Sequence, residues 1–236
     1  MKEGNKMSKV GLISAMEEEI SSLKKYINIE NEYNIFDLVF YETSINNNKC
    51  ILALSGVGKV NSARCTQILI DNMKVDYIIN IGVAGSLTKD LDICDIVLGE
   101  KLVQHDFDIT AFNHKKGYIP NIGVYIESDG YLLTIANEVG RENNLPIKRG
   151  VIASGDIFCT DSNMGSKINE KFNALCTEME GASIAQVCYL SHIPFLIIRS
   201  ISDSLNNNNN LMTYEEFLEK ASDIVSLYLI EILKKL

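Results

Sequence analysis

The chain carries little with which to hold a nucleic acid, a metal or a membrane. Across its 236 residues, 22 Lys and Arg are set against 31 Asp and Glu, a net charge of −9, and no long basic stretch interrupts that balance. Nucleic-acid binders need a basic footprint to neutralise phosphates, so that class is set aside and a small-molecule ligand is expected. Its three histidines are scattered, and its six cysteines include no Cys-x-x-Cys pair. No metal motif can be read from that spacing, and the thiols read as reduced cytosolic side chains that fill core space. Met1 to Lys6 lack the apolar centre of a signal peptide, and no uninterrupted apolar run reaches bilayer length. A cytoplasmic protein without a membrane partner is expected. With neither a repeat nor a linker in evidence, the length suits one domain.

What the chain does have is short apolar runs that end abruptly in polar residues. Leu196-Ile197-Ile198 leads into Arg199-Ser200-Ile201-Ser202-Asp203, which reads as a strand buried on both faces, delivering Asp203 to its carboxyl end. Open α/β sheets bind ligands just beyond such ends. Taken alone, Asp203 reads first as a cap or turn residue. Val10–Ser14, Tyr77–Ile81, Ile96–Leu98 and Val151–Ser154 are further short strands. The stretch 33–55, interrupted by Asn46-Asn47-Asn48, reads as a strand meander. Helical spacing follows Met16 (Ile20, Leu23, Ile27) and Lys59 (Val60, Ala63, Ile68, Met73). It recurs over 129–142 and 180–190, and in a long amphipathic C-terminal helix that includes Tyr214, Phe217, Ala221, Val225, Tyr228 and Ile232. The asparagine run 206–210 reads as a mobile loop. Alternating strands and helices predict a mostly parallel sheet sandwiched by helices.

Strand ends also carry Gly56-Val57-Gly58-Lys59, Gly82-Val83-Ala84-Gly85 and Gly155-Asp156-Ile157-Phe158-Cys159. The first is no P-loop, and Asn61 stands where a dinucleotide fingerprint needs its third glycine. Glu17-Glu18-Glu19 is ordinarily a solvated first helical turn. At about 100° per residue the apolar stripe turns Glu18 outward, with Glu19 about 70° and Glu17 about 90° from its centre, so periodicity leaves those two open. Glu178-Met179-Glu180 likewise reads first as helix N-terminal acid. In combination these acids acquire another meaning, because glycosidic cleavage needs one carboxyl group to assist the leaving group and another to activate water or stabilise a cationic sugar.

Four stretches in order, Ala15-Met16-Glu17-Glu18-Glu19, Ser55-Gly56-Val57-Gly58-Lys59-Val60, Glu178-Met179-Glu180 and Arg199-Ser200-Ile201-Ser202-Asp203, closely resemble the bacterial 5'-methylthioadenosine/S-adenosylhomocysteine nucleosidases of the nucleoside phosphorylase superfamily. The segments 105–112 and 154–156 fit as well. The resemblance implies an N-terminal extension (1–9) and a catalytic domain (10–236) built as a three-layer α/β/α sandwich around a mixed, partly barrel-like sheet. It implies hydrolysis of adenine nucleoside thioethers without metal or redox cofactor, in a homodimer.

By position, the resemblance makes Asp203 the acid that protonates adenine N7 and Glu19 the base that activates water. Met179 and Glu180 would hold the ribose, Arg199 would order the carboxylates, and Ser202 would steady Asp203. Adenine would lie on Phe158 and bond to the backbone at Cys159. Met16, Val57, Ile109 and Tyr214 would shape the apolar part, and Gly85 would allow close approach. Phe112 and Pro120 would enter the neighbouring subunit's site. Val83, Cys159, Ser86 and Cys94 depart from the usual pattern, Val83 replacing a serine near the water and Ser86 and Cys94 replacing glycines. Runner-up readings are a phosphorylase, a hydrolase of a related nucleoside such as futalosine or 5'-deoxyadenosine, and a non-catalytic nucleoside-binding protein. A phosphorylase would need an anion cradle near the first strand, where this chain has Met16 to Glu19.

Overall fold

The computed structural model describes residues 8–204 and 210–236. In chain order it runs β1 (Lys9–Ser14), α1 (Glu17–Lys24), β2 (Asn31–Ile35), β3 (Leu38–Ile45), β4 (Asn48–Leu54), α2 (Lys59–Asp71), β5 (Tyr77–Ser86) and β6 (Ile96–Gln104). It continues with the short β7 (Ile126–Glu127), α3 (Gly130–Glu142), β8 (Ile147–Ser154), α4 (Ser162–Phe172), β9 (Ala174–Glu178), α5 (Gly181–Ser191), β10 (Phe195–Ser204) and α6 (Asn210–Lys235). Residues 206–209 of the asparagine run, read as a loop, lie outside the described residues, and Asn210 begins α6. Most of the expected N-terminal extension, residues 1–7, also lies outside them.

The apolar runs are continuous because their strands are covered on both sides. Along β10, Leu196 and Ile198 join one core with Ile20 and Leu23 of α1, residues of α3, and Val225 and Leu229 of α6. The alternate residues Phe195, Ile197 and Ile201 join a second core with Cys65 and Leu69 of α2 and Ala182 and Ala185 of α5. Two buried faces give three layers, helices on either side of one sheet.

The sheet is mixed, as the resemblance implies, which corrects the mostly parallel one expected from the alternation of strands and helices. β10 runs parallel to β5 but antiparallel to β6, and β5–β9, β2–β3, β3–β4 and β6–β7 are also antiparallel. The physical reason is local: parallel neighbours need a crossover, whereas β2–β3–β4 are joined by tight turns and no α-helix separates β5 from β6. β5, β10, β6, β8 and β9 close into a five-stranded ring, from which β1, β4, β3 and β2 fan outward.

Closure depends on how β5 divides one of its edges. Its first half pairs with β1, ending at Ile13 opposite Asn80, and its end pairs with β9 at Gly85 and Ser86. Between these ladders, residues 81–84 have no strand neighbour on that edge.

Several elements differ from the sequence reading. β6 runs on to Gln104, and β8 begins at Ile147, directly after Pro146. α1 stops at Lys24, yet Ile27 still packs on the core shared with Ile20 and Leu23. α4 and β9 were not anticipated; α4 is a polar helix whose inward face rests on Gly165, Ile168 and Phe172. Asp161 caps α4 by accepting the Asn163 N–H at 2.9 Å.

Cys94, in a glycine's place by family pattern, has φ +74°. Non-glycine residues pay for this left-handed conformation, so Cys94→Gly is expected to stabilise the fold by about 0.5–1 kcal/mol, read as a raised melting temperature.

Candidate active site

The unpaired stretch of β5 opens the site. Val83 N–H, lacking a strand partner there, donates to Glu19 Oε1 at 3.0 Å. Glu19 Oε2 accepts from Ala15 N–H at 2.8 Å and Met16 N–H at 3.2 Å, the chain having just left β1 to enter α1. Three backbone donors from two elements thus hold one carboxylate, while Glu17 and Glu18 are exposed. The choice that periodicity leaves open falls to Glu19. The Val83 substitution costs nothing in this contact, since the bond uses its backbone. Gly82 is required by proximity, because a Cβ there would stand 2.5 Å from Glu19 Oε1. Burial pushes the Glu19 carboxyl above the usual carboxylate range, opposed by the Arg199 charge and the backbone donors.

Arg199 lies behind the cavity, 1% exposed. Its guanidinium pairs with Glu178 through Nη2, which also donates to Asn80 Oδ1 at 2.6 Å, and Nη1 donates to the Ile198 carbonyl at 3.0 Å. Glu180 Oε2 stands 3.9 Å away. Glu178, at the end of β9, also accepts the Ser154 hydroxyl and the N–H groups of Glu180 (3.1 Å) and Gly181 (2.8 Å), so one carboxylate both pairs Arg199 and caps α5.

Glu180 Oε1 accepts from Gly58 N–H at 2.8 Å. Burial, then the charge of Glu178, push its carboxyl up to about 8, against the pull of Arg199. A raised carboxyl favours folding while protonated in both states, and that contribution is lost as pH rises from the ordinary carboxylate range through about 8. Glu180→Gln removes this loss. Its stability advantage over the parent is expected to be about 2 kcal/mol larger at pH 9 than at pH 6, in paired thermal melts.

Asp203 sits where the β10–β5 register shifts, between Ile201 and Asp203. Such irregularities re-aim a side chain. Ser202 Oγ donates to Asp203 Oδ1 at 2.8 Å, and Gly85 leaves room, since a Cβ there would stand 2.9 Å from Oδ2. Burial raises the Asp203 carboxyl, opposed by the Ser202 bond.

These acids face a cavity of about 430 Å³. Glu19, Thr177, Glu178, Glu180, Ser202 and Asp203 supply its polar lining and Met16, Val57, Phe158, Met179 and Tyr214 its apolar walls; Gly85 and Cys159, also predicted, line it with Val83, whereas Arg199 stands behind it. The Phe158 and Tyr214 rings meet edge to face at 5.3 Å, and Tyr214 OH donates to Met16 Sδ at 3.2 Å. Ile109, Phe112 and Pro120 are not among the lining residues, and Phe112, on a turn at Thr110–Phe112, is 76% exposed. Sequence reasoning gave no part to Asn80 or Ala15, and none to Glu178 beyond the motif. A lone asparagine inside the apolar run of β5 was the available signal for Asn80. Among the described residues no cluster of His, Cys, Asp and Glu is arranged to hold a metal ion, and no helix is long and apolar enough to cross a membrane.

A volume of this size suits a nucleoside-sized ligand. Comparison with known proteins agrees in kind. The family model of the phosphorylase superfamily matches residues 9–234. A 5'-methylthioadenosine/S-adenosylhomocysteine nucleosidase from Staphylococcus carnosus is 40% identical over 228 residues, 96% of this chain and 100% of the relative. Among solved structures, the S-adenosylhomocysteine nucleosidase of Streptococcus pyogenes, in complex with 5-methylthiotubericidin, superposes with a TM-score of 0.94 at 32% identity over 99% of each chain. The futalosine hydrolase of Helicobacter pylori does so with a TM-score of 0.94 at 36% identity, over 98% of this chain and 99% of that one. With its acids gathered at the split edge of β5 and relatives matched along nearly the whole chain, this protein belongs to the phosphorylase superfamily, in the family of 5'-methylthioadenosine/S-adenosylhomocysteine nucleosidases.

Proposed function

We propose that the chain hydrolyses the N-glycosidic bond of 5'-methylthioadenosine and S-adenosylhomocysteine, releasing adenine and the 5-thioribose product, with residues 10–236 as the catalytic domain. One observation carries the reading: two buried carboxyls, Glu19 and Asp203, come from different strand ends to line a single nucleoside-sized cavity. Asp203, its carboxyl raised by burial, gives its proton to N7 as the C1'–N9 bond breaks and the bonding electrons leave with the base. Glu19 takes a proton from water as the oxygen bonds to C1'. Between these events the sugar is oxocarbenium-like, and the negative charge of Glu19 favours it electrostatically.

Met179 and Glu180 hold the ribose, Phe158 and the Cys159 backbone hold adenine, and Met16, Val57 and Tyr214 receive the thioether. Arg199, paired with Glu178 and 3.9 Å from Glu180, orders both carboxyl groups. A homodimer in which Phe112, Pro120 and Ile109 complete the neighbouring site is part of the same proposal, as is a cytoplasmic role in clearing thioether nucleosides. The exposed Phe112 supports the former.

Phosphorolysis is disfavoured by charge. The turn after β1 offers its N–H groups to Glu19, leaving them no vacancy for an oxyanion. Incubation of the pure protein with each nucleoside, with and without phosphate, tests the reading. Adenine and free thioribose should form at equal rates in both; a sugar 1-phosphate would select the phosphorylase, and binding without product the non-enzyme. Futalosine belongs in the same panel because of the Helicobacter pylori structure.

A further inference from the structure

The Gly-Lys sequence that opens α2 is no nucleotide motif, but it holds two carboxyl groups of the protein itself. Gly58 N–H donates to Glu180 Oε1 at 2.8 Å, and the next N–H, of Lys59, donates to Asp156 Oδ1 at 2.8 Å. The Lys59 ammonium pairs with Asp106 Oδ1 at 2.7 Å, and Asp106 Oδ2 accepts the Asp156 N–H at 3.0 Å. Lys59, Asp106 and Asp156 therefore close a ring of hydrogen bonds among three loops, those following β4, β6 and β8. None of the three lines the cavity. Lys59 also reaches Gln104 Oε1 at 3.4 Å, and Gln104 donates to Gln186 on α5, the helix that follows Glu180.

The ring fixes the start of α2 from outside the cavity. Gly58, with φ +98°, points its N–H at Glu180, the adjoining Lys59 N–H is held by Asp156, and Asp156 is held in turn by Asp106. Lys59 and Asp106 side chains are each 19% exposed, shielded enough for the pair to hold geometry. We propose that Lys59, Asp106 and Asp156 are positioning residues for the ribose-binding carboxylate Glu180, acting through the Gly58 N–H.

This rests on the hydrolytic reading, so parent turnover of 5'-methylthioadenosine is measured first; its absence would overturn that reading and not the ring. The test then compares Lys59→Met, Lys59→Arg and Asp156→Ala by kcat/KM and by the inhibition constant of free adenine, which has no ribose for Glu180 to hold. Lys59→Met and Asp156→Ala should each lose about tenfold in kcat/KM, the scale of a displaced contact. Adenine inhibition should stay within about twofold, and Lys59→Arg, which keeps the charge, should recover most of the loss. Breaking the ring also deprives the Glu180 carboxylate of a donor, so the pH profile limb set by Glu180 should move to higher pH. Unchanged kcat/KM in both Lys59→Met and Asp156→Ala overturns the proposal. Parallel loss of adenine binding, the mark of general loosening, overturns it as well.

Discussion

Asp203→Asn should lower kcat for 5'-methylthioadenosine by about 10³ to 10⁴-fold, the range of a lost general acid, while KM changes by no more than about threefold. The substitution is nearly isosteric. Asn Oδ1 can still accept the Ser202 hydroxyl, and Gly85 leaves the same space opposite. What disappears is the proton. The fold should not suffer, because Asp203 is a carboxyl that burial already holds toward its neutral form. Adenine release followed by chromatography gives the rate, and calorimetric titration of the variant gives binding. Turnover within about tenfold of the parent would remove Asp203 from the acid's role.

The second large effect is on stability. Arg199→Met leaves Glu178 buried without its cation and Asn80 Oδ1 without a donor. Breaking a buried pair from one side costs about 3–5 kcal/mol, far more than the pair is worth against an apolar replacement of both partners. For a chain of this length that corresponds to a fall in melting temperature of roughly 10 °C. Glu178 retains the N–H groups of Glu180 and Gly181 and the Ser154 hydroxyl, which holds the loss to this range and not to complete unfolding. A melting temperature within about 2 °C of the parent would mean that Arg199 is not what holds these carboxylates in place.

Both predictions concern β10, the strand whose meaning was most legible beforehand. Its apolar run reads as doubly buried because Leu196 and Ile197 do enter opposite cores, and its polar end stands out against them. The acids that accompany Asp203 became legible only as an ordered set of motifs. Glu17 and Glu19 flank the apolar stripe on opposite sides at similar angles, about 90° and 70° from its centre, and what separates them is the Val83 N–H, 64 residues away. That donor is free because β5 passes from β1 to β9 along one edge, a property of topology with no local signature. The same cause kept the mixed sheet out of the strand-and-helix pattern, leaving only the resemblance to imply it: strand direction is set by whether a crossover helix intervenes, and the β5–β6 connection has none. α4 was legible and missed: Met164, Ile168 and Phe172 recur every four residues in an otherwise polar stretch, the spacing of one helix face. The Gly-Lys turn was recognised as unfit for a nucleotide, but its carboxylate partners, Asp156 and Glu180, lie some hundred residues on.

The central claim is that Asp203 makes adenine a leaving group. It is tested most directly by giving the Asp203→Asn variant a substrate whose leaving group needs no proton, the 4-nitrophenyl riboside of 5-methylthioribose, beside 5'-methylthioadenosine. The account predicts that the variant loses about 10³-fold or more on the adenine nucleoside and less than about tenfold on the nitrophenyl one, because Glu19 still activates water and Glu180 still holds the ribose. Equal losses on both substrates would contradict it.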